Sequence, residues 1–137
     1  MKNKDFVTYE QAVALKKLGF REKCLCHYTF GEFVINNYVV NEEKDEYVYV
    51  DNLLDSLNTD TLGDNICDAP TLSQVQTWLR KEKRYSVEEL YDCDDKWSYF
   101  IVKMSDGEYI KHISDFNSPE EALSAGISEA IKFLEFK

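Results

Sequence analysis

Three times in this chain a Thr or Ser is followed, three residues on, by Gln or Glu, and a helical pattern of apolar residues comes next. The phrases are Phe6-Val7-Thr8-Tyr9-Glu10-Gln11-Ala12-Val13, Pro70-Thr71-Leu72-Ser73-Gln74-Val75 and Phe116-Asn117-Ser118-Pro119-Glu120-Glu121-Ala122-Leu123. Each spells the reciprocal capping box, in which a hydroxyl accepts the N–H three residues on and the carboxyl or amide side chain accepts a backbone N–H in return. Three helix starts are thereby placed. The capping boxes carry no chemistry of their own.

The first helix runs from Thr8 to about Leu18 with Ala12, Val13, Leu15 and Leu18 on its apolar face. Gly19 follows at the position that favours a left-handed residue, and Phe20 can fold back on Leu15, as in a Schellman stop. The second runs from Thr71 to about Lys83, with Leu72, Val75, Trp78 and Leu79 on one face. Arg80, Lys81, Lys83 and Arg84 gather at its end, where cations suit the helix dipole. The third starts at Ser118 with Pro119 in the favoured first position. Its core face holds Leu123, Ile127, Ala130, Ile131 and Leu134. Gly126 inside it costs about 1 kcal/mol relative to Ala, which predicts that a backbone or a bulky aromatic comes close there.

Strand-like stretches fill the gaps. Cys24–Phe30 alternates, Phe33–Val40 is β-branched and aromatic, and Gly31-Glu32 reads as the turn between them. Glu46–Val50 alternates Tyr47 and Tyr49 against Val48 and Val50, with Asn41–Asp45 as its connection. Asp51–Pro70 reads as one long acidic loop, with a helical turn at Asn52–Leu57; loops of this length are functional or mobile. Tyr85–Tyr91 reads as a strand, although Ser86–Glu89 also spells a capping box. After a turn at Asp92–Asp95, Trp97–Met104 sets Trp97, Tyr99 and Ile101 against Ser98, Phe100 and Val102. Ser105-Asp106-Gly107 is an Asp-Gly type of hairpin turn, and Glu108–Ile113 returns.

The order of helix, strands, helix, strands, helix predicts an α+β fold: one antiparallel sheet of about five to six strands with three helices packed on one face. The alternation hints at two related halves, yet they share little beyond the capping phrase. At 137 residues the chain reads as a single domain spanning residues 1–137, large enough to fold without a metal or disulfide staple.

The charge is −10, from 26 acidic and 16 basic residues. Between Glu42 and Asp68 nine acids face Lys44 alone, which accounts for eight of the ten net negative charges. Such a chain opposes nucleic acid, whose binders carry a basic footprint; Arg80–Arg84 is a small patch offset by Glu82 and better read as a helix-end complement. No signal peptide and no membrane-length apolar run is visible. The expected location is the cytoplasm, with Cys24, Cys26, Cys67 and Cys93 as reduced thiols.

Cys24-Leu25-Cys26-His27 offers the ligand types zinc prefers, but one residue between the cysteines is too few for the usual spacing. On a strand His27 would point away from both. The reading preferred here is that of buried small hydrophobes, and no metal or cofactor is expected. Two His residues, at 27 and 112, sit in no catalytic phrase. The chain has no nucleophile elbow, no phosphate-binding Gly-rich loop and no calcium loop around Asp92-Cys93-Asp94-Asp95. No catalytic residue is therefore assigned. The nine Tyr are more than a small core needs, and Tyr and Trp favour binding surfaces. The candidate binding residues are Tyr47, Tyr49, Trp97 and Tyr99 with the loop acids Asp51, Asp55, Asp60 and Asp64. Half-buried sheet residues with wet hydroxyls are the plain alternative.

The opening Phe6–Ala12, the stop Leu18-Gly19-Phe20, the central Ala69-Pro70-Thr71-Leu72-Ser73-Gln74-Val75-Gln76-Thr77-Trp78-Leu79-Arg80 and the ending Phe116–Leu123 together resemble a group of small uncharacterised proteins of gut Bacteroidales, their phages and mobile elements. The resemblance spans most of the chain and is weakest in the acidic stretch. It implies a small accessory protein, phage-encoded in some settings and then located in the host cytoplasm. It implies no activity. The expected function is non-enzymatic binding of a protein partner, with homo-oligomers an open alternative. A nucleotide- or small-molecule-binding protein that uses the aromatic strands is the second reading, and a thiol-based metal enzyme the third.

Overall fold

The computed structural model describes residues 3–35, 38–41, 46–49 and 66–135, the second and third of these stretches as backbone. The expected helical turn at 52–57 and the acids Asp51, Asp55, Asp60 and Asp64 lie outside the described residues. The fold is α+β. Among the described residues, three helices accompany two three-stranded antiparallel sheets and a separate hairpin.

Helix α1 (Tyr9–Lys17) starts as its sequence dictates: Gln11 N–H donates to Thr8 Oγ1 at 3.2 Å and Thr8 N–H to Gln11 Oε1 at 2.8 Å. It ends in a full Schellman stop. Gly19 adopts φ +100°, its N–H reaches Lys16 O at 3.2 Å, and Phe20 N–H reaches Leu15 O at 3.0 Å. Helix α2 (Leu72–Trp78) continues as a π-helical turn, Leu79–Lys83, and Arg84 closes it in the left-handed region at φ 61°. Thr71 caps α2 through Gln74 N–H, but the Gln74 amide donates to Lys23 O at 2.8 Å instead of completing the box. Helix α3 (Pro119–Glu135) is capped by Ser118 Oγ, which accepts Glu121 N–H at 3.1 Å, while Glu121 accepts the N–H of Asn117.

The first sheet has the order β2-β1-β5, from β1 (Cys26–Thr29), β2 (Glu32–Ile35) and β5 (Ile66–Ala69). The hairpin pairs β3 (Tyr38–Asn41) with β4 (Glu46–Tyr49), and the second sheet is the meander β6 (Tyr85–Tyr91), β7 (Trp97–Lys103), β8 (Glu108–Phe116). This corrects the expectation of one sheet, and the two sheets do not share a strand order. Three further corrections concern the first half. The single strand expected at Phe33–Val40 is divided between β2 and β3. The end of the expected acidic loop is β5, whose burial is set by Ile66, Cys67 and Ala69. Its short apolar run is masked in the sequence by the Asp and Asn around it. The β1–β2 turn also falls one residue early. Phe30 and Gly31 occupy it with φ 50° and 82°, so Phe30 leaves the strand face and stands 66% exposed.

Behind these elements lies one contiguous core. Helix α3 lies across β6 and β7, α1 rests on β5 and α3, and α2 touches α3 and β6. Leu15, Val75, Leu79, Val87, Ile101 and Ile127 are fully buried between them. The N-terminal segment is sewn to the start of α2: Phe6 bridges Thr71, and Val7 N–H donates to Pro70 O at 3.1 Å. Gly126 meets the expected aromatic. A Cβ there would stand 3.0 Å from the Tyr99 ring and 2.8 Å from Val87 Cγ1. No helix among the described residues is long and apolar enough to cross a membrane.

Candidate functional site

Aromatics and acids meet at one corner of the second sheet. The last pair of β6 and the first of β7 are Tyr91 and Trp97, directly opposed. Their rings pack edge to face, 5.5 Å between centroids at 74°. Tyr91 is 51% exposed and Trp97 half-buried. The turn between them exposes Asp92, Cys93, Asp94 and Asp95.

This turn is tightly built. Asp94 and Asp95 both take positive φ, 54° and 58°, as the central residues of a tight turn from Cys93 to Lys96. Lys96 N–H donates to Cys93 O at 3.0 Å and Asp92 N–H to Lys96 O at 2.9 Å. Buried Ser98 donates to Asp92 Oδ1 at 3.2 Å, and Asp95 N–H donates to the Tyr91 hydroxyl at 3.3 Å. Non-Gly residues in this region cost about 1 kcal/mol or more each. The bonds fix the Asp92 carboxylate and the Tyr91 phenol beside Trp97, and the exposed Asp94 and Asp95 stand on the same turn.

The same sheet carries four of the six exposed large hydrophobics among the described residues: Leu90, Tyr91, Tyr109 and Ile113. Alternation explains Leu90 and Tyr109, which pair with Ser98 and Val102 on the outer face, whereas Tyr91 and Ile113 pair with Trp97 and Tyr99 on the face that α3 covers. Tyr99 and Ile101 turn inward under α3, so Phe100 and Val102 take the opposite face, where Phe100 stacks near Tyr109 at 5.8 Å.

The sequence-predicted residues are scattered by this arrangement. Trp97 is at the corner. Tyr99 is 4% exposed, part of the core against Gly126 and Phe116, which corrects its reading as a surface anchor. Tyr47 and Tyr49 lie on β4, opposite Val40 and Tyr38 in register; their side chains are outside the described residues. Tyr91, read in the sequence only as a strand end and one of nine tyrosines, is the exposed ring of the corner. Its place follows from its position at the strand end beside an acidic turn.

A groove of about 720 Å³ lies between the starts of α1 and α3. Tyr9, Tyr28 and Phe116 are among its walls, with Gln11, Ser124 and Ser128 crossing its floor. Gln11 is 4% exposed, and its amide donates to Ser124 O at 2.9 Å and Ser128 Oγ at 2.8 Å. Tyr28 donates its hydroxyl proton to Val7 O at 2.6 Å. The groove was missed in the sequence because its lining comes from segments more than a hundred residues apart. A faint signal was present: Ser118, Ser124 and Ser128 are polar positions on the side of α3 that faces α1.

The thiols are divided. Cys24 precedes β1 and is half-buried, Cys26 and Cys67 are buried in the first sheet, and Cys93 is exposed at the corner. His27 is 3% exposed and stands opposite Asp68 of β5. Among the described residues no group of three or more His, Cys, Asp or Glu is placed to hold a metal ion. The Cys24 thiol is pushed up to about 12, first by burial and then by Asp68, Glu22 and Cys26. For Asp68 the loss of hydration outweighs the opposing pull of His27, Lys16 and Arg21, and its carboxyl is raised.

A thiolate is the reacting form of cysteine. Iodoacetamide at mildly alkaline pH should therefore label Cys93 first and Cys24 at least tenfold more slowly, as followed by peptide mass mapping; equal rates would refute the placement of Cys24. The sign of the linked pH effect is also set. The folded state holds the Cys24 proton above the ordinary value of 9.0. Stability is therefore unaffected by Cys24 below about 9 and falls as pH rises from about 9 toward about 12.

No protein-family model matches the chain, and neither does any curated protein or solved structure.

Proposed function

We propose that this protein is a non-enzymatic binding domain that docks a basic protein partner on the corner formed by Tyr91, Trp97 and the Asp92–Asp95 turn. The carrying observation is the exposed Tyr91 ring packed edge to face on the half-buried Trp97, at a turn where Asp92, Asp94 and Asp95 are all exposed. Large aromatics in a fixed pose lose little entropy on binding and are the usual anchors of interfaces. The carboxylates select partner charge and speed encounter, with little to add to affinity at the solvent-exposed rim. A cationic guanidinium or ammonium of the partner would find both a ring face and a carboxylate there. The net charge of −10 supports the same sign of partner.

The test is affinity capture on the immobilised protein at low and high salt, with the captured protein then purified and titrated directly. Tyr91→Ala and Trp97→Ala should each weaken binding by roughly tenfold or more, as loss of an aromatic hot spot does. Neutralising Asp92, Asp94 and Asp95 to Asn should slow association and flatten its salt dependence. A partner bound equally well by all these variants, each shown folded by circular dichroism, would remove the corner as its site.

A further inference from the structure

The groove between α1 and α3 has an unusual division of labour. Its floor is polar but already satisfied. Gln11 accepts Thr8 N–H and donates to Ser124 and Ser128, and the Tyr28 proton is taken by Val7 O. A polyol or sugar, which binds through many such groups, finds few to use. The helix starts that open on the groove are filled as well: Thr8 and Ser118 cap them, and Glu121 accepts Asn117 N–H. An anion therefore gains little from the helix dipoles.

What the groove has left is aromatic surface and negative charge. Phe6, Tyr9, Tyr28 and Phe116 line it, and so do Glu120 and Glu121, against Lys4 as the only basic lining residue among the described residues. Tyr9 and Tyr28 pack edge to face at 5.7 Å. Burial, and then the neighbouring charge of Glu10, raise the Tyr28 phenol, which sets a third carboxylate within electrostatic reach of this wall. Ring faces and carboxylates are both complementary to organic cations. The size of about 720 Å³ falls in the range of small-molecule sites.

We propose that the α1–α3 groove binds a small organic cation, an ammonium group carried on an aryl or alkyl body. The body lies against the Tyr9, Tyr28 and Phe116 rings, and the ammonium is directed to the Glu120–Glu121 rim. This site stands independently of the partner-binding corner.

Three probes of matched size and different charge test it: phenethylammonium, phenethyl alcohol and phenylacetate, each titrated into ¹⁵N-labelled protein. The cation should shift the amides of Tyr9, Ser124 and Ser128 saturably. The alcohol should bind roughly tenfold more weakly and the carboxylate more weakly still, because only the cation gains from rings and acids together. Ala125→Trp, which fills the groove, should abolish the shifts. Glu120→Gln with Glu121→Gln should cut the preference for cation over alcohol while keeping an acceptor for Asn117 N–H. Equal binding of all three probes, no saturable shift with any, or an unchanged preference in the double variant would each overturn the proposal.

Discussion

Gly126→Ala is expected to destabilise the protein by about 2 kcal/mol, although alanine is the better helix former by about 1 kcal/mol. The added methyl would stand 2.8 Å from Val87 Cγ1 and 3.0 Å from the Tyr99 ring. Neither neighbour can step aside: Val87 is fully buried and β-branched, and Tyr99 is 4% exposed. The methyl must lift α3 from the sheet or drive these side chains off their rotamers. On a domain of this size the loss should appear as a fall in melting temperature of about 4 °C per kcal/mol or somewhat more. Val87→Ala alone opens a cavity and is also destabilising. Combined with Gly126→Ala, it supplies the missing space, so the double variant should be more stable than the sum of the two losses by about 1 kcal/mol or more. Strict additivity in a denaturant double-mutant cycle would mean that the helix has shifted elsewhere.

The second large effect belongs to Gln11. It is a buried polar residue whose two ends serve different helices: Oε1 accepts the Thr8 N–H of α1, and Nε2 donates to Ser124 and Ser128 of α3. Gln11→Leu conserves bulk and leaves the Thr8 amide without its acceptor, at a cost of about 2 kcal/mol. Gln11→Glu is the sharper variant. Its carboxylate could still accept from Thr8, but it would face the Ser124 carbonyl with no proton to donate. Burial and that oxygen both favour the protonated acid. The folded state of Gln11→Glu then holds a proton more tightly than the unfolded state, so its deficit against wild type should be largest near neutral pH and shrink on acidification. Urea titrations at neutral and acid pH would read this directly. A deficit that stays constant with pH would contradict the assigned hydrogen bonds.

The local signals in the sequence were strong where a single residue type has a single physical use. Thr8, Thr71 and Ser118 mark helix starts because their hydroxyls satisfy amides there, and Gly19 marks a stop because φ +100° suits no other residue as well. Gly126 foretold the close approach of Tyr99. What was not legible depends on long-range choices. Alternation in Cys24–Phe30 and Phe33–Val40 says that strands form, but not where they break or which neighbours they take. Ile66–Ala69 completes the first sheet beside β1, although its four residues sit among acids that read as loop. Tyr99 looked as available as Trp97, since both point to one face of β7. Only the position of α3 decides that Tyr99 is covered and that Trp97, at the strand end beside Tyr91, is half open. The groove was hidden for the same reason, because its polar floor joins Gln11 to Ser124 and Ser128 across almost the whole chain.

That join also bears on the order in which the molecule assembles. The bond from Gln11 to Ser124 spans 113 residues. Closing a flexible loop of that length costs on the order of 4 kcal/mol in chain entropy. The β6–β7–β8 meander closes its turns over a few residues each and can gather α2 and α3 from nearby in sequence. Slow, distant closure favours a late step. Helix α1, capped and complete by itself, is thus the element expected to lock on last, when the second sheet and α3 already present Ser124 and Ser128 as a finished surface.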